Sequence, residues 1–275
     1  MSLVARVYEL WAYRSLLYNL VLRDLKVRYK NSALGILWSL LNPLLMMLVF
    51  TFVFKVLAGS SALPAYPAFI LSGVLAWNWF STSVTGAIGS IVGNAHLIKK
   101  VYFPREVLPM AVVFSNLVNY LLALPVYFVL AIALALTPQP WALLLPAVIV
   151  VQLLFTMGIS FILATVNVFY RDTQIVMEVI LLAWFFMTPV FYDVSQVAPN
   201  GAHIGSLVLS SYDVQRWLRI LNPMASIITS YRDLIYWGVR PGLDFFLRTA
   251  VTAVFFFVIG YLIFLRFCPV FGEEL

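Results

Sequence analysis

The sequence predicts an all-α integral membrane protein with six membrane-spanning helices. Of its 275 residues, 63% are hydrophobic and only 10% are charged, whereas soluble domains carry about 25% charged residues. Several apolar stretches reach the length of about 20 residues that a helix needs to cross a bilayer. The basic residues are concentrated in alternate connecting segments. Together these observations indicate that most of the protein surface faces lipid rather than water.

The six predicted spans cover residues 34–58, 67–92, 108–136, 143–168, 175–191 and 245–267. The fifth is short for a full crossing, so we expect it to continue as an irregular or re-entrant piece covered by protein. Lysine and arginine occur in segments 1–33, 93–107 and 169–174, whereas loops 59–66 and 137–142 contain none. Because basic residues remain in cytoplasmic loops, both termini are expected in the cytoplasm. Segment 192–244, on the opposite side, does contain Arg216, Arg219, Arg232 and Arg240, but long loops follow this rule less strictly.

The segment before the first span predicts an amphipathic helix at the membrane interface. Residues 3–30 read as two helical pieces, and in the second Asn19, Arg23, Lys26 and Lys30 share one helix face. Such basic helices lie among lipid headgroups. Two roles remain open for these cations: anchoring to membrane lipid, or binding a phosphate-bearing substrate. We therefore separate an interface segment, 1–33, from a single six-span domain, 34–275.

The outer stretch 192–244 predicts two short helices, re-entrant or amphipathic, rather than a plain loop. Val214, Trp217, Leu218 and Leu221 form an apolar stripe with helical spacing. Asn222-Pro223 then reads as a helix start, with asparagine as the cap and proline in the first position. This stretch has two open roles, packing against the outer ends of the spans or acting as a gate.

The sequence lacks the residues that several classes of chemistry require. The chain has one cysteine, Cys268, and two histidines, His96 and His203, so neither a disulfide framework nor a metal cluster is expected. No G-x-x-x-x-G-K-[ST] sequence occurs, and we therefore expect no ATP hydrolysis by this chain. Its net charge of +6 fits cytoplasmic loops facing anionic lipid, and no nucleic-acid partner is expected.

Five motifs in order resemble the polysaccharide-export permeases of type-2 ABC transporters. They are RDLKVRYKNSALGILWSLLNPLL at Arg23–Leu45, NAHLIKKVYFPREVLPM at Asn94–Met110, VFYRDTQ at Val168–Gln174, MTPVFYDVS at Met187–Ser195, and LNPMASIITSYRDLIYWG at Leu221–Gly238. In that family they mark the approach to span one, an inner loop, the turn before span five, its end, and an outer helical segment. Together they extend over most of the chain.

The resemblance implies a half-transporter of the bacterial cytoplasmic (inner) membrane. Two copies would form a homodimer and pair with two separate ATPase subunits, which bind ATP and magnesium, and the permease itself would need no cofactor and would not be an enzyme. The expected cargo is lipid-linked polysaccharide, such as O-antigen on undecaprenyl diphosphate. In such permeases the path lies between protomers, largely along spans one and five.

Three groups of site residues follow from this resemblance together with residue chemistry. Coupling to the ATPase is expected from an inner loop with exposed Tyr102 and Phe103, namely Lys99, Lys100, Tyr102, Phe103, Arg105 and Glu106. A lipid-diphosphate entrance is expected from Arg23, Lys26, Arg28 and Lys30. A polysaccharide path is expected from Phe50, Phe54, Trp77, Trp184, Phe185, Phe191 and Tyr192, although packed or lipid-facing aromatic bulk is the alternative for each ring.

Other functions remain open at this point. An ABC permease for small hydrophobic molecules shares the architecture but does not need a basic entrance helix. Within the same family, wall teichoic acid export is a further alternative. A membrane-embedded glycosyl- or acyltransferase would need a carboxylate or histidine near a membrane face, and the chain has few. Dependence on a partner ATPase separates the enzyme from the transporters.

Overall fold

A computed structural model describes residues 3–30, 32, 34–35, 37–57, 63–137, 139–197, 201–204 and 207–275. Parts of the predicted interface segment, of loops 59–66 and 137–142 and of the outer stretch 192–244 therefore lie outside the described residues. The α-helices are α1 Leu3–Ala12, α2 Arg14–Tyr29, α3 Leu37–Thr51, α4 Tyr66–Ile88, α5 Ala95–Lys100, α6 Val107–Ala133, α7 Leu145–Phe169, α8 Thr173–Met187, α9 Ser211–Leu221, α10 Pro223–Ile235, α11 Leu243–Phe267 and α12 Phe271–Glu274. The strands are β1 Ala202–Ile204 and β2 Leu207–Leu209.

Four helical segments in the described part of the chain are both long and apolar enough to cross a membrane. They are Leu37–Val56, Val107–Ala133, Pro140–Phe169 and Leu243–Glu274. The α4 helix has 23 residues, or about 34 Å, but its second half carries asparagine, serine and threonine. The 15-residue α8 is apolar and shorter. Each of the six predicted spans thus overlaps a helix, and four of them meet both criteria.

The α4 helix lies at the centre of the larger hydrophobic core. It packs against α3, α6, α7, α8 and α10, and most of its side chains are buried around its whole circumference. Aromatic rings such as Phe69, Phe80 and Phe155 fill this core. A helix that is buried on all sides needs no polar face. The few polar residues of α4 therefore need an explanation other than contact with water.

The α7 and α11 helices approach so closely that only glycine fits between them. A Cβ atom on Gly158 would meet the backbone of Phe256 and Phe257, and one on Gly260 would meet the backbone of Gly158. Small residues at such crossings are the usual means of helix association in membranes, where lipid contact is as apolar as the core. This contact ties the last long helix to the rest of the bundle.

A second core cluster fixes the inner loop between α4 and α6. Leu20 of α2, Ile98 of α5, Phe161 of α7 and Phe271 of α12 all contribute buried side chains to it. The cluster therefore joins the N-terminal helices and the C-terminal end around this loop. A change in one of these segments is transmitted to the others through close packing.

The outer stretch contains the two predicted helices and one element that was not predicted. Asn222 caps α10, because its Oδ1 accepts a hydrogen bond from the Ala225 amide at 3.2 Å, and Pro223 occupies the first turn. The addition is an antiparallel hairpin in which Ala202 faces Leu209 and Ile204 faces Leu207. Gly-Ser separates the strands in sequence, a pair typical of tight hairpins. The all-α prediction is confirmed for the fold as a whole, and this short β-hairpin is a local addition to it.

Candidate functional site

The four basic residues assigned to the entrance lie on α2 and at its C-terminal end, and all four are exposed. Arg23 bonds Asp24 at 2.9 Å and donates to Asn94 Oδ1 at 3.3 Å. Lys26 and Lys30 present exposed side chains on the same helix face. Leu20 of the same helix packs in the second core cluster, so α2 is held against the bundle while these three cations stay exposed.

Arg28 differs from the other entrance residues because it reaches into the helix bundle. Its Nη1 donates to Asn116 Oδ1 of α6 at 2.8 Å. Asn116 is only 2% exposed, and its Nδ2 donates to the Val112 carbonyl at 3.0 Å. The guanidinium carries five N–H donors, so this bond leaves others directed elsewhere. Arg28 therefore connects α2 to the first half of α6.

The coupling loop combines exposed cations with a buried ring. Lys99 and Lys100 are exposed, and Tyr102 is 77% exposed. Phe103, by contrast, is only 9% exposed and packs in the second core cluster. The expectation that Phe103 is an exposed anchor is therefore wrong, because its ring gains a more apolar environment in this cluster than in water.

Charged side chains tie this loop to α1. The Tyr102 hydroxyl donates to Glu9 Oε1 at 3.3 Å, and Arg6 Nη1 bonds Glu9 Oε2 at 3.1 Å. Arg6 Nη1 also lies 3.9 Å from Oε1 of Glu106, whose side chain is fully buried. Burial raises the pKa of the Glu106 carboxyl, and the positive charge of Arg6 opposes that rise. The N-terminal helix and the loop thus share one electrostatic network.

The last loop cation, Arg105, contacts the C-terminal end of the chain. Its Nη1 donates to the carbonyl of Cys268, directly after α11. Beside it, a groove of about 210 Å³ is lined by Lys99, Lys100, Tyr102 and Arg105, among others. The loop therefore presents a concave, basic surface, while Arg105 secures it to the bundle.

The residues assigned to the polysaccharide path come together in one aromatic cluster. Phe54 stacks on Phe191 with ring centroids 4.5 Å apart, and Phe50 lies 5.7 Å from Phe185. Trp77 extends the cluster, with centroids 5.5 Å from Phe185 and 6.3 Å from Trp184. The cluster is completed by Tyr192, whose ring is 5.2 Å from that of Phe191. Among these rings Trp77 is buried and the other six are partly exposed.

Two polar residues that were not assigned to the site hold this cluster in place. Asn222 accepts the Trp184 indole N–H at 2.8 Å and donates to Thr188 Oγ1 at 2.9 Å. Arg232 is 2% exposed, stacks on the Phe69 ring at 3.6 Å and donates to the carbonyls of Pro189, Val190 and Tyr192. Arg232 thereby supplies hydrogen-bond donors to the carbonyls of the irregular backbone after α8.

The sequence did contain a signal for Arg232. In α10 the apolar stripe includes Ile228, Tyr231 and Ile235, and Arg232 falls on the same stripe at helical spacing. A cation on an apolar face predicts burial with a specific partner. Its partners are backbone carbonyls, which no sequence pattern identifies.

Comparison with known proteins agrees with these features. The sequence pattern of the ABC-2 type transporter family matches residues 15–236. The chain is 40% identical over 252 residues to the O-antigen export system permease protein RfbA of Myxococcus xanthus, covering 92% of both chains. It is 34% identical over 232 residues to the RfbA permease of Klebsiella pneumoniae, covering 84% of both. The polysialic acid transport protein KpsM of Escherichia coli is 23% identical over 231 residues, which cover 81% of this chain and 80% of KpsM. On this similarity, the chain belongs to the ABC-2 type transporter family.

Proposed function

We propose that this protein is the membrane subunit of an exporter that moves lipid-linked polysaccharide, of the O-antigen type, across the bacterial cytoplasmic membrane. The observation that carries the proposal is the similarity to O-antigen export permeases over more than four-fifths of the chain. The aromatic cluster supports it, because flat rings pack well against the C–H faces of sugars. The relation to KpsM extends the same cargo class to capsular polymers.

Energy for export comes from two partner ATPase subunits, which hold ATP and magnesium. The basic groove of the inner loop is the surface on which an ATPase docks, and the Arg6–Glu9–Tyr102 network passes its movement to α1. Arg105 passes the same movement to the end of α11. Closing of the ATPases would thus act on both ends of the chain at once.

The proposed arrangement in the membrane has six spans, with α4 and α8 added to the four long apolar segments. Both termini face the cytoplasm, and α1 and α2 lie at the interface as a separate segment. Tyr8, Trp11 and Tyr18 are 74%, 69% and 63% exposed, which suits aromatic side chains in a headgroup layer. The outer gate-like segment is formed by α9, α10 and the chain after α8.

Transport begins when the diphosphate of the cargo meets Arg23, Lys26, Arg28 and Lys30. Cations of α2 bind the charged end, while the lipid tail stays in the bilayer. Two protomers form the path, and separation of α3 from α8 opens the aromatic cluster to the polymer. Because Asn222 and Arg232 hold the chain after α8, the outer helices follow its movement.

Glycolipid analysis of cells depleted of the protein tests this function. We expect undecaprenyl-linked polymer to accumulate in the cytoplasmic membrane while the same glycan disappears from the surface, with recovery on expression of the wild-type chain. Accumulation of a polyol-phosphate polymer instead would identify wall teichoic acid as the cargo. Unchanged glycan in both places would contradict the proposal and favour a permease for small hydrophobic molecules.

A further inference from the structure

A cavity of about 420 Å³ lies within one protomer, between α2, α3, α4 and α6. Its lining includes one cation, four side-chain amides and an indole: Arg28, Asn42, Asn78, Asn116, Asn119 and Trp79. Asn116 lies nine residues into α6, or about 13 Å from the end that bears the coupling loop. The cavity therefore opens in the half of the bundle nearest the interface helix, and its lining contains no ring of the aromatic cluster.

The polar lining is unusual for the interior of an apolar bundle. Amides between membrane helices normally bond a neighbouring helix directly and act as links between helices. Here four of them line a space of ligand size, and two of these also bond a neighbouring helix, Asn78 to Met46 Sδ at 3.8 Å and Asn116 to Arg28 at 2.8 Å. A cavity lined by several amide donors and acceptors suits a ligand with many hydroxyl groups, because each hydroxyl both donates and accepts.

The indole of Trp79 gives an independent indication of a ligand. The residue is only 2% exposed, and its Nε1 has no acceptor among the residues that the structure describes. Its orientation is fixed by stacking on Tyr120, with ring centroids 5.1 Å apart. Because buried indole N–H groups normally find a partner, this donor indicates an acceptor inside the cavity.

Arg28 adds charge selection at the same place. One of its donors bonds Asn116 inside the cavity, while the exposed guanidinium retains further donors for a phosphate oxygen. The other three α2 cations are absent from the cavity lining. A ligand with phosphate at one end and hydroxyls at the other would satisfy Arg28, the amides and Trp79 together.

We propose that this cavity binds the sugar that directly follows the diphosphate of the lipid-linked cargo. Arg28 binds the phosphate, and the amides with the Trp79 indole bind the sugar hydroxyls. The inference rests on the proposed function and adds a recognition step to it. The protein would thereby select its cargo by the first sugar, in one protomer, before the polymer reaches the aromatic cluster.

Binding to the purified full-length protein in detergent tests this assignment. The probes are farnesyl diphosphate carrying one N-acetylhexosamine and farnesyl diphosphate alone, measured by titration calorimetry. We expect the Asn42→Leu/Trp79→Phe variant to bind the glycosylated probe about tenfold more weakly and the bare diphosphate within about twofold of wild type. Arg28→Ala should weaken both. Trp141→Phe and Thr252→Val, which lie outside the cavity, serve as matched controls.

Equal affinity of the wild-type protein for the two probes would overturn the inference, as would equal losses for both in the double variant. Displacement of the glycosylated probe by an equal concentration of phosphatidylglycerol would also overturn it, because the site would then bind lipid headgroups. Thermal unfolding of each variant shows that it is folded. If depleted cells still accumulate undecaprenyl-linked polymer, such results remove the sugar site and leave the proposed function intact.

Discussion

At the scale of single residues, the structure depends on a few buried polar groups in an apolar chain. Arg232 is the largest of them, and it replaces the hydrogen bonds that the backbone after α8 loses when the helix ends. Pro189 and Val190 are buried, so their carbonyls have few other donors. A single side chain therefore determines the course of residues 189–192, which carry two rings of the aromatic cluster.

Replacing Arg232 by methionine should lower the stability of the purified protein by about 3 kcal/mol, since several carbonyls lose their donor at once. The stability of Arg232→Lys should fall between those of the wild type and Arg232→Met, because a lysine ammonium lacks the planar guanidinium fork. Thermal unfolding in detergent measures this effect, with the exposed Arg240→Met as control. Equal unfolding temperatures for the two methionine variants would contradict the role assigned to Arg232.

Glu106 makes stability depend on pH in a predictable direction. Burial raises the pKa of its carboxyl in the folded protein, so the folded state favours the protonated form. Stability is then highest in acid and falls as pH rises from the ordinary glutamate pKa through the raised one. Glu106→Gln removes this titration.

We therefore expect the Glu106→Gln variant to gain in unfolding temperature over wild type as pH rises from about 5 to about 8. The charges that face the carboxyl come from Arg6, Glu9 and Arg105. A difference in unfolding temperature between the two proteins that does not change with pH would show that the pKa of Glu106 is not raised in the folded protein.

At the scale of helices, the contact between α7 and α11 is the tightest constraint. The backbone of one helix occupies the place of a side chain on the other at Gly158 and Gly260. Gly158→Ala or Gly260→Ala should therefore force the helices apart and cost about 1–3 kcal/mol. Gly89→Ala is the matched control, because nothing lies within 4 Å of a Cβ there. The unfolding temperatures of the three variants measure this effect. An equally small decrease at each position would refute the close packing.

The helices also show what a sequence can and cannot predict. Long apolar runs predicted α6, α7 and α11, and Asn222-Pro223 predicted the start of α10, because spacing and capping are local properties. The exposure of Phe103 was predicted wrongly, since it is buried in a cluster that includes residues distant in sequence, such as Leu20 and Phe271. The amide-lined cavity was likewise invisible, because its lining comes from four helices.

The α3 and α8 helices leave wide apolar faces uncovered in one protomer. In α3 only Pro43 and Met47 are buried, and on α8 Val179 and Leu182 are 67% and 61% exposed. In the proposed homodimer these faces meet. Val179→Cys should therefore cross-link between copies in membranes, whereas Val129→Cys, 69% exposed on α6, should not. Cross-linking at residue 129 alone would place the interface elsewhere.

At the scale of the whole molecule, the inner loop connects the two ends of the chain to the surface proposed for the ATPase. Arg6 and Tyr102 link it to α1, and Arg105 links it to the end of α11. The aromatic cluster lies among α3, α4 and α8, away from this network. Movement of the loop must therefore travel along the long helices to reach the path.

The most direct measurement is ATP-dependent translocation of labelled lipid-linked polysaccharide in vesicles that contain this protein and its ATPase partner. We expect the polymer to become protected from an impermeant glycan-binding protein only when ATP is hydrolysed. A Lys99→Glu/Lys100→Glu variant should lose transport by about tenfold or more while its fold is retained, since these exposed cations line the groove proposed for ATPase docking. Translocation without ATP, or unchanged transport by this variant, would contradict the account.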